Sequence, residues 1–161
     1  MRSFKPTPFI LAVALAFSAC GSEDDPPSID AEGCEHLKEG PAVPVIATAA
    51  ATGAPAISND HQRYDVTLTD VAGGKGGAVS FVAAEATDYV FFLSAGVPVR
   101  FRNATGAEVA PESSVASSSE CAEIKGRIVV PLTVGTYTLE LGPTPETLVG
   151  IVVEEAEHAE E

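Results

Sequence analysis

The amino-acid sequence predicts an all-β protein, a single small antiparallel β-sandwich of about seven or eight strands in a Greek-key-like order, stapled by one disulfide. Three observations carry this expectation. Apolar and polar residues alternate with the period of a half-buried strand in several short stretches. Clusters of Gly, Pro, Asn and Ser separate those stretches at short intervals. From Pro41 onward no stretch shows the pattern of a long amphipathic helix.

The elements follow in chain order. Arg2 and Lys5 precede an uncharged apolar run at residues 9–17, which ends on Ser18-Ala19-Cys20-Gly21. A charged start, a short apolar middle and a small-residue end make residues 1–19 an export signal. The run is far shorter than the roughly 20 residues a helix needs to cross a membrane. Residues 20–32 contain Ser22-Glu23-Asp24-Asp25-Pro26-Pro27-Ser28 and read as a flexible acidic tether. The β-sandwich is expected over residues 33–153 and an acidic C-terminal tail over 154–161.

Within the sandwich, Tyr64, Val66 and Leu68 alternate with Asp65, Thr67 and Thr69. A turn at Gly73-Gly74-Lys75-Gly76-Gly77 leads into a strand from Val79 to Ala83. Tyr89-Val90-Phe91-Phe92-Leu93 is apolar on both faces, which predicts a central strand. Val97, Val99 and Phe101 alternate with Pro98, Arg100 and Arg102 and end at an Asn103-Ala104-Thr105-Gly106 turn. Residues 110–120 form a Ser-rich loop, after which Ile124, Ile128, Val130 and Leu132 share one strand face. Tyr137, Leu139 and Leu141 point inward from the next strand, and residues 148–153 are again apolar on both sides. Residues 47–51 suit helix by their Ala content and strand by their flanks. Leu132-Thr133-Val134-Gly135-Thr136-Tyr137 fits either a tyrosine corner, in which the Tyr hydroxyl bonds back to nearby backbone, or a plain Gly turn followed by an edge Tyr.

Composition narrows the partners. Of 9 basic residues, Arg2 and Lys5 would leave with the signal, so 7 basic residues face 23 acidic ones, a formal charge of −16. Such a surface repels phosphate backbones and excludes nucleic acid as a partner; cations or basic proteins suit it. With no Trp and one Met, the core is expected to consist of small aliphatic side chains. Cys34 and Cys121 remain once Cys20 has another use, and an oxidising export compartment favours pairing them over free thiols or intermolecular bridges. A loop of that length implies roughly 4–5 kcal/mol of stabilisation in the chain-entropy account.

No phosphate loop, dinucleotide fingerprint, His-Glu-x-x-His or Gly-x-Ser-x-Gly pattern is present, and no Asp-x-Asp-x-Asp-Gly calcium loop. The residues that suggest chemistry are three histidines beside acids: His36 next to Glu35, His61 next to Asp60, and His158 following Glu154, Glu155 and Glu157. Zinc and copper favour neutral imidazole supported by carboxylate. Glu154 and His158 fall on one side in either a helix or a strand. If the disulfide pins Cys34 to the sheet and His61 enters a strand end, His36, His61, His158 and Glu154 meet at one rim. The other reading makes each histidine solvated and the tail a plain charge run.

Phe17-Ser18-Ala19-Cys20 resembles the bacterial lipobox, with Phe17 in place of the usual Leu. The resemblance implies lipidation at Cys20, cleavage before it and a palmitate-bearing lipoprotein of the periplasm-facing envelope. Gly21-Ser22 lacks the Asp that favours inner-membrane retention in enteric bacteria, which implies the outer membrane. Asp88-Tyr89-Val90-Phe91-Phe92, Ser94-Ala95-Gly96, Asn103-Ala104-Thr105-Gly106 and Gly135-Thr136-Tyr137-Thr138-Leu139 loosely resemble bacterial pre-peptidase C-terminal domains, small β-sandwich modules that accompany a catalytic domain. That implies a non-catalytic module.

The sequence thus supports a non-enzymatic, lipid-anchored binding module that takes a divalent transition metal, zinc or copper, through acid-flanked histidines. The alternative is a structural or interaction module docking an envelope protein through a sheet edge or the Ser-rich loop; a small hydrolase would need a pocket of convergent polar groups. Replacing Cys20 with Ser is expected to abolish incorporation of labelled palmitate, and a label that persists would overturn the anchor.

Overall fold

The computed structural model describes residues 27–156. Cys20, His158, the signal, most of the expected tether and the last residues of the tail lie outside them. A helix, α1 (Ile29–Glu39), precedes β1 (Ala42–Ile46), β2 (Ala56–Ile57), β3 (Arg63–Thr67), β4 (Thr69–Val71), β5 (Gly74–Ala83) and β6 (Thr87–Leu93). There follow β7 (Val99–Asn103), β8 (Glu108–Val109), β9 (Ser113–Val115), β10 (Gly126–Leu132), β11 (Gly135–Thr144) and β12 (Leu148–Glu155).

The strands form two packed sheets, one in the order β1-β3-β12-β6-β10-β9 and one in the order β2-β5-β11-β7-β8, with β4 paired to β5. The all-β sandwich is therefore present. Eight strands have five residues or more, which matches the expected seven or eight. The other four have two or three, too few to show a period. The expected purely antiparallel pairing is corrected: β1–β3 and β2–β5 are parallel, so both sheets are mixed. After β1 the chain crosses to the second sheet, bridging Thr48 to Ala78 and forming β2, then returns beside β1. A parallel neighbour cannot be reached by a tight hairpin and needs a crossover of this kind. Residues 47–51 belong to this crossover and are neither helix nor strand, apart from the Thr48 bridge.

Between the sheets, Tyr89, Phe81, Phe91 and Phe101 form a chain of edge-to-face and tilted ring contacts, with neighbouring centroids 4.9 to 5.4 Å apart. Aliphatic side chains such as Val66, Val130, Leu139 and Ile151 fill around them. The core thus has an aromatic centre, which its aliphatic majority concealed. Tyr137, Leu139 and Leu141 point inward as expected. Ile124 does not share the face of Ile128: it precedes β10 and packs outside the first sheet. The glycine turn narrows to Ala72 and Gly73, while Gly74, Lys75 and Gly76 pair with β4. Within the Ser-rich loop, β9 pairs with β10 at the sheet edge.

The principal addition to the predicted fold is α1. Ser28 caps it by accepting a hydrogen bond from the Ala31 amide at 3.1 Å, and Asp30 and Glu32 sit favourably in its first turn. Residues 29–32, expected in the tether, are therefore helical, and Glu154 and Glu155, expected in the tail, end β12. The folded unit is wider at both ends because each end packs on the other: α1 lies on the outer face of the first sheet, against β12 and β6. Leu37, Val90, Phe92, Cys121, Ile124 and Val152 form this second cluster. Gly33 rests on the Phe92 ring, and a Cβ there would fall inside the ring's van der Waals envelope. The cover explains why β6 and β12 are apolar on both faces: odd-numbered residues face the sandwich core and even-numbered ones face α1.

Two tyrosines lock turns. The Tyr137 hydroxyl donates to the Thr133 carbonyl at 2.9 Å and accepts from the Thr133 amide at 3.1 Å, which is the corner geometry. Tyr89 reaches back to the Glu85 backbone by the same four residues. Tyr137→Phe removes one set of these bonds with little change of volume, so a loss of about 1–2 kcal/mol is expected. Urea unfolding checks it: the midpoint should fall with an unchanged slope.

Candidate metal centre

In a helix successive residues turn by about 100°, so Glu32 and His36 lie on one flank of α1, Gly33 and Leu37 beneath it, and Cys34 on the opposite flank. The contacts match. Gly33 and Leu37 are buried against the sheet, and Cys34 bonds Cys121 with a Cα separation of 5.8 Å. Polar ties fix the helix axis: Asp30 accepts from Arg127 and from Ser118, each at 2.6 Å, Arg63 donates to the Leu37 carbonyl at 2.9 Å, and Ser28 bonds Glu120.

Below the Glu32 and His36 flank lies the end of β12. Val152 and Glu154 share its outward face, so Glu154 projects under the helix and not into solvent. Its side chain is only 4% exposed. The third contributor is the loop at residues 58–62. The β3–β12 register runs from Thr67 opposite Leu148 to Tyr64 opposite Ile151, and its continuation sets His61 opposite Glu154. His61 has φ +58°, the single positive φ outside glycine among the described residues. That conformation costs a non-glycine residue roughly 1–2 kcal/mol and is tolerated where neighbours impose it. The neighbours are explicit: Tyr64 donates to Asp60 at 2.9 Å and shares a 2.7 Å bond with Ser58, and Asn59 donates to Glu155 at 2.6 Å.

Four side chains from these three elements meet. His36 Nδ1 lies 2.6 Å from Glu154 Oε1, His61 Nδ1 lies 3.2 Å from Glu154 Oε2, and Glu32 Oε1 is 3.8 Å from His61 Nδ1. The imidazole centroids are 5.0 Å apart, and one donor atom from each of the four residues falls within 4.8 Å of all the others. A cavity of about 220 Å³ lined by Glu32, Asn59, His61, Glu154 and Glu155 opens on the group. Burial pushes the Glu154 carboxyl above its ordinary range; the hydrogen bond and charge of His36, and the charge of His61, pull the other way, and Glu32 adds to the rise.

Of the residues the sequence singled out, His36, His61 and Glu154 are brought together. His158 and Cys20 lie outside the described residues. Cys34 and Cys121 are bonded to each other, as expected. Glu32 is the member that sequence reasoning missed; its signal was the i, i+4 spacing to His36, which has meaning only on a helix. The acids next to the histidines are not their partners: Glu35 is exposed, and Asp60 engages Tyr64. The chain matches no protein-family model and no curated protein in sequence.

Chemically, two imidazoles and two carboxylates are a donor set for a borderline divalent cation. Two donors on one tetrahedral zinc at about 2.1 Å stand roughly 3.4 Å apart, so the 2.6 Å His36–Glu154 pair would have to open, the 3.2 Å His61–Glu154 pair would hardly change, and donors standing as far as 4.8 Å apart would have to close in. Without a cation, the buried charge of Glu154 opposes folding. Because its folded-state value is raised, the associated stability is present below the ordinary carboxylate range and is lost as pH climbs through the raised value. Glu154→Gln is therefore expected to raise the melting temperature of the metal-free protein at neutral pH, and more there than at pH 5. Parallel thermal melts in chelator check the ranking.

Proposed function

We propose that this protein is a lipid-anchored cell-envelope binding module that holds a divalent transition metal, zinc or copper, through Glu32, His36, His61 and Glu154. The observation that carries the reading is the convergence of donors from α1, the loop at residues 58–62 and β12 on one buried carboxylate. The mixed nitrogen and oxygen set suits zinc and copper, and copper binds such sites more tightly.

The strongly acidic surface supports the same role by raising the local concentration of cations. Cys20 supplies the address: acylation there tethers the module to the envelope, at the outer membrane by the Gly21-Ser22 rule.

Calorimetry of the mature protein is expected to show one zinc and one copper equivalent bound. His36→Ala, His61→Ala and Glu154→Gln should each weaken binding at least tenfold, and Glu32→Gln less, since Glu32 stands farther off, 3.8 Å from His61, than the histidines stand from Glu154. At a free metal concentration a hundredfold over Kd, the native fold should gain about 2.7 kcal/mol, reversed by chelator. Equal binding by native and variant proteins would sink the assignment. His158→Ala in the same series decides whether the tail adds a donor.

A further inference from the structure

We propose that the metal site and the disulfide are coupled through α1, so that reducing Cys34–Cys121 releases the metal and bound metal protects the disulfide. The inference rests on the metal-binding reading above. Its basis is where the two fastenings sit on the helix. Glu32 and His36 hold one flank toward Glu154, Cys34 holds the other toward Cys121, and Gly33 presses on Phe92 between them. Half of the donors therefore ride on an element of 11 residues. A helix this short is marginal in water and depends on what fastens it.

The second anchor of the disulfide is as local as the first. Cys121 lies in the segment between β9 and β10, outside the ladders, so the bond ties helix to loop. With the bond cut, α1 keeps Leu37, the Gly33–Phe92 contact and the ties of Asp30 to Arg127 and Ser118, of its Leu37 carbonyl to Arg63 and of Ser28 to Glu120, but loses its covalent restraint. Glu32 and His36 then sample positions away from His61 and Glu154, and the effective concentration of half the ligand set falls. Linkage makes the effect reciprocal: whatever factor reduction takes from metal affinity, metal takes from the tendency to be reduced.

The chemistry is thiol–disulfide exchange with a dithiol or a pair of thiols as reductant. A thiolate attacks Sγ of Cys34, the half-buried partner, because Cys121 is fully buried. The S–S bond breaks and Cys121 leaves as a thiolate that takes a proton. A second thiolate attacks the reductant sulfur of the mixed disulfide, Cys34 leaves and is protonated, and the reductant carries away the oxidation as its own disulfide. Glu123, whose carboxylate is 3.4 Å from Cys121 Sγ and 4.0 Å from Cys34 Sγ, repels an incoming thiolate and slows the first step.

The test uses the mature protein purified in mild detergent. Zinc affinity is measured by calorimetry for the native oxidised form and for Cys34→Ser/Cys121→Ser, with circular dichroism confirming the β signal. The thiol–disulfide midpoint of the native protein is measured in glutathione buffers at fixed free zinc and in chelator, with Glu154→Gln as the control lacking the site. At least tenfold weaker zinc binding without the disulfide is expected, and zinc should make the midpoint more negative by about 30 mV for each tenfold. The control should show no negative shift, since zinc held by its reduced Cys34 and Cys121 with Glu123 acts only in the opposite direction. Equal zinc affinity in both forms together with a zinc-independent midpoint would overturn the coupling and leave metal binding standing. Absence of Glu154-dependent zinc binding in the native protein would remove both. Should the double variant lose its β signal, the native midpoint alone decides.

Discussion

The seat of α1 on the first sheet is the contact on which the rest of this structure depends. Gly33 lets the helix axis ride directly on the Phe92 ring, and no other residue fits there without lifting the helix. That closeness brings Leu37 over Val152 and Val90 and makes a second apolar cluster outside the sandwich. Burial of that cluster is worth roughly 1.5–3 kcal/mol for each large side chain fully removed from water. It also determines what lies on the helix flanks. A helix displaced outward by one methyl group would carry Glu32 and His36 away from Glu154 and Cys34 away from Cys121. Core packing, covalent bond and candidate site therefore share one geometric requirement.

The sheet topology meets the helix from the other side. Because the chain crosses to the second sheet after β1 and returns as β3 beside β12, the loop that precedes β3 arrives next to the end of β12. The antiparallel β3–β12 register, with β3 set between β1 and β12, is thus the feature that delivers His61. Asp60–Tyr64 and Asn59–Glu155 bonds then hold the loop in a left-handed turn that a histidine adopts only under constraint.

How much was legible follows from which faces carried a pattern. Strands with one face on the core and one in water, such as β3, β7 and β11, announced themselves by alternation. β6 and β12 announced burial on both faces without saying what covered the second one, and the missing layer was α1. That helix was illegible because its composition matches a tether: of its residues only Ile29 and Leu37 are large and apolar, Asp30, Glu32, Glu35 and Glu39 are acidic, and Gly33 disfavours helix. Its docking depends on a close approach that only tertiary structure reveals. The candidate site was legible as residue types and illegible as pairings. His36 and His61 stood out because acids adjoin them, yet those acids face solvent or Tyr64, and the true partners come from 118 positions away and from the next helical turn. Adjacency in sequence pointed to the correct histidines for an incomplete reason.

Glu154 is the residue where fold and function pull apart. Its row on the outer face of the first sheet contains Val152 and Val90, and an apolar side chain there would extend the cluster under α1 without any charge to desolvate. Paired buried charges are commonly no better for stability than well-packed apolar replacements. Here the pairing is also uneven, since the two histidines reduce the rise in the Glu154 pKa without cancelling it. Other ion pairs in the molecule, Arg63–Asp65 and Arg102–Glu140 among them, sit partly in water and carry no comparable penalty. A site that breaks the rule of its own row, and does so with two imidazoles and a second carboxylate converging on it, is where a bound cation would convert a cost of folding into a gain. Such a reversal would tie the helix, the loop and the last strand to a single ligand.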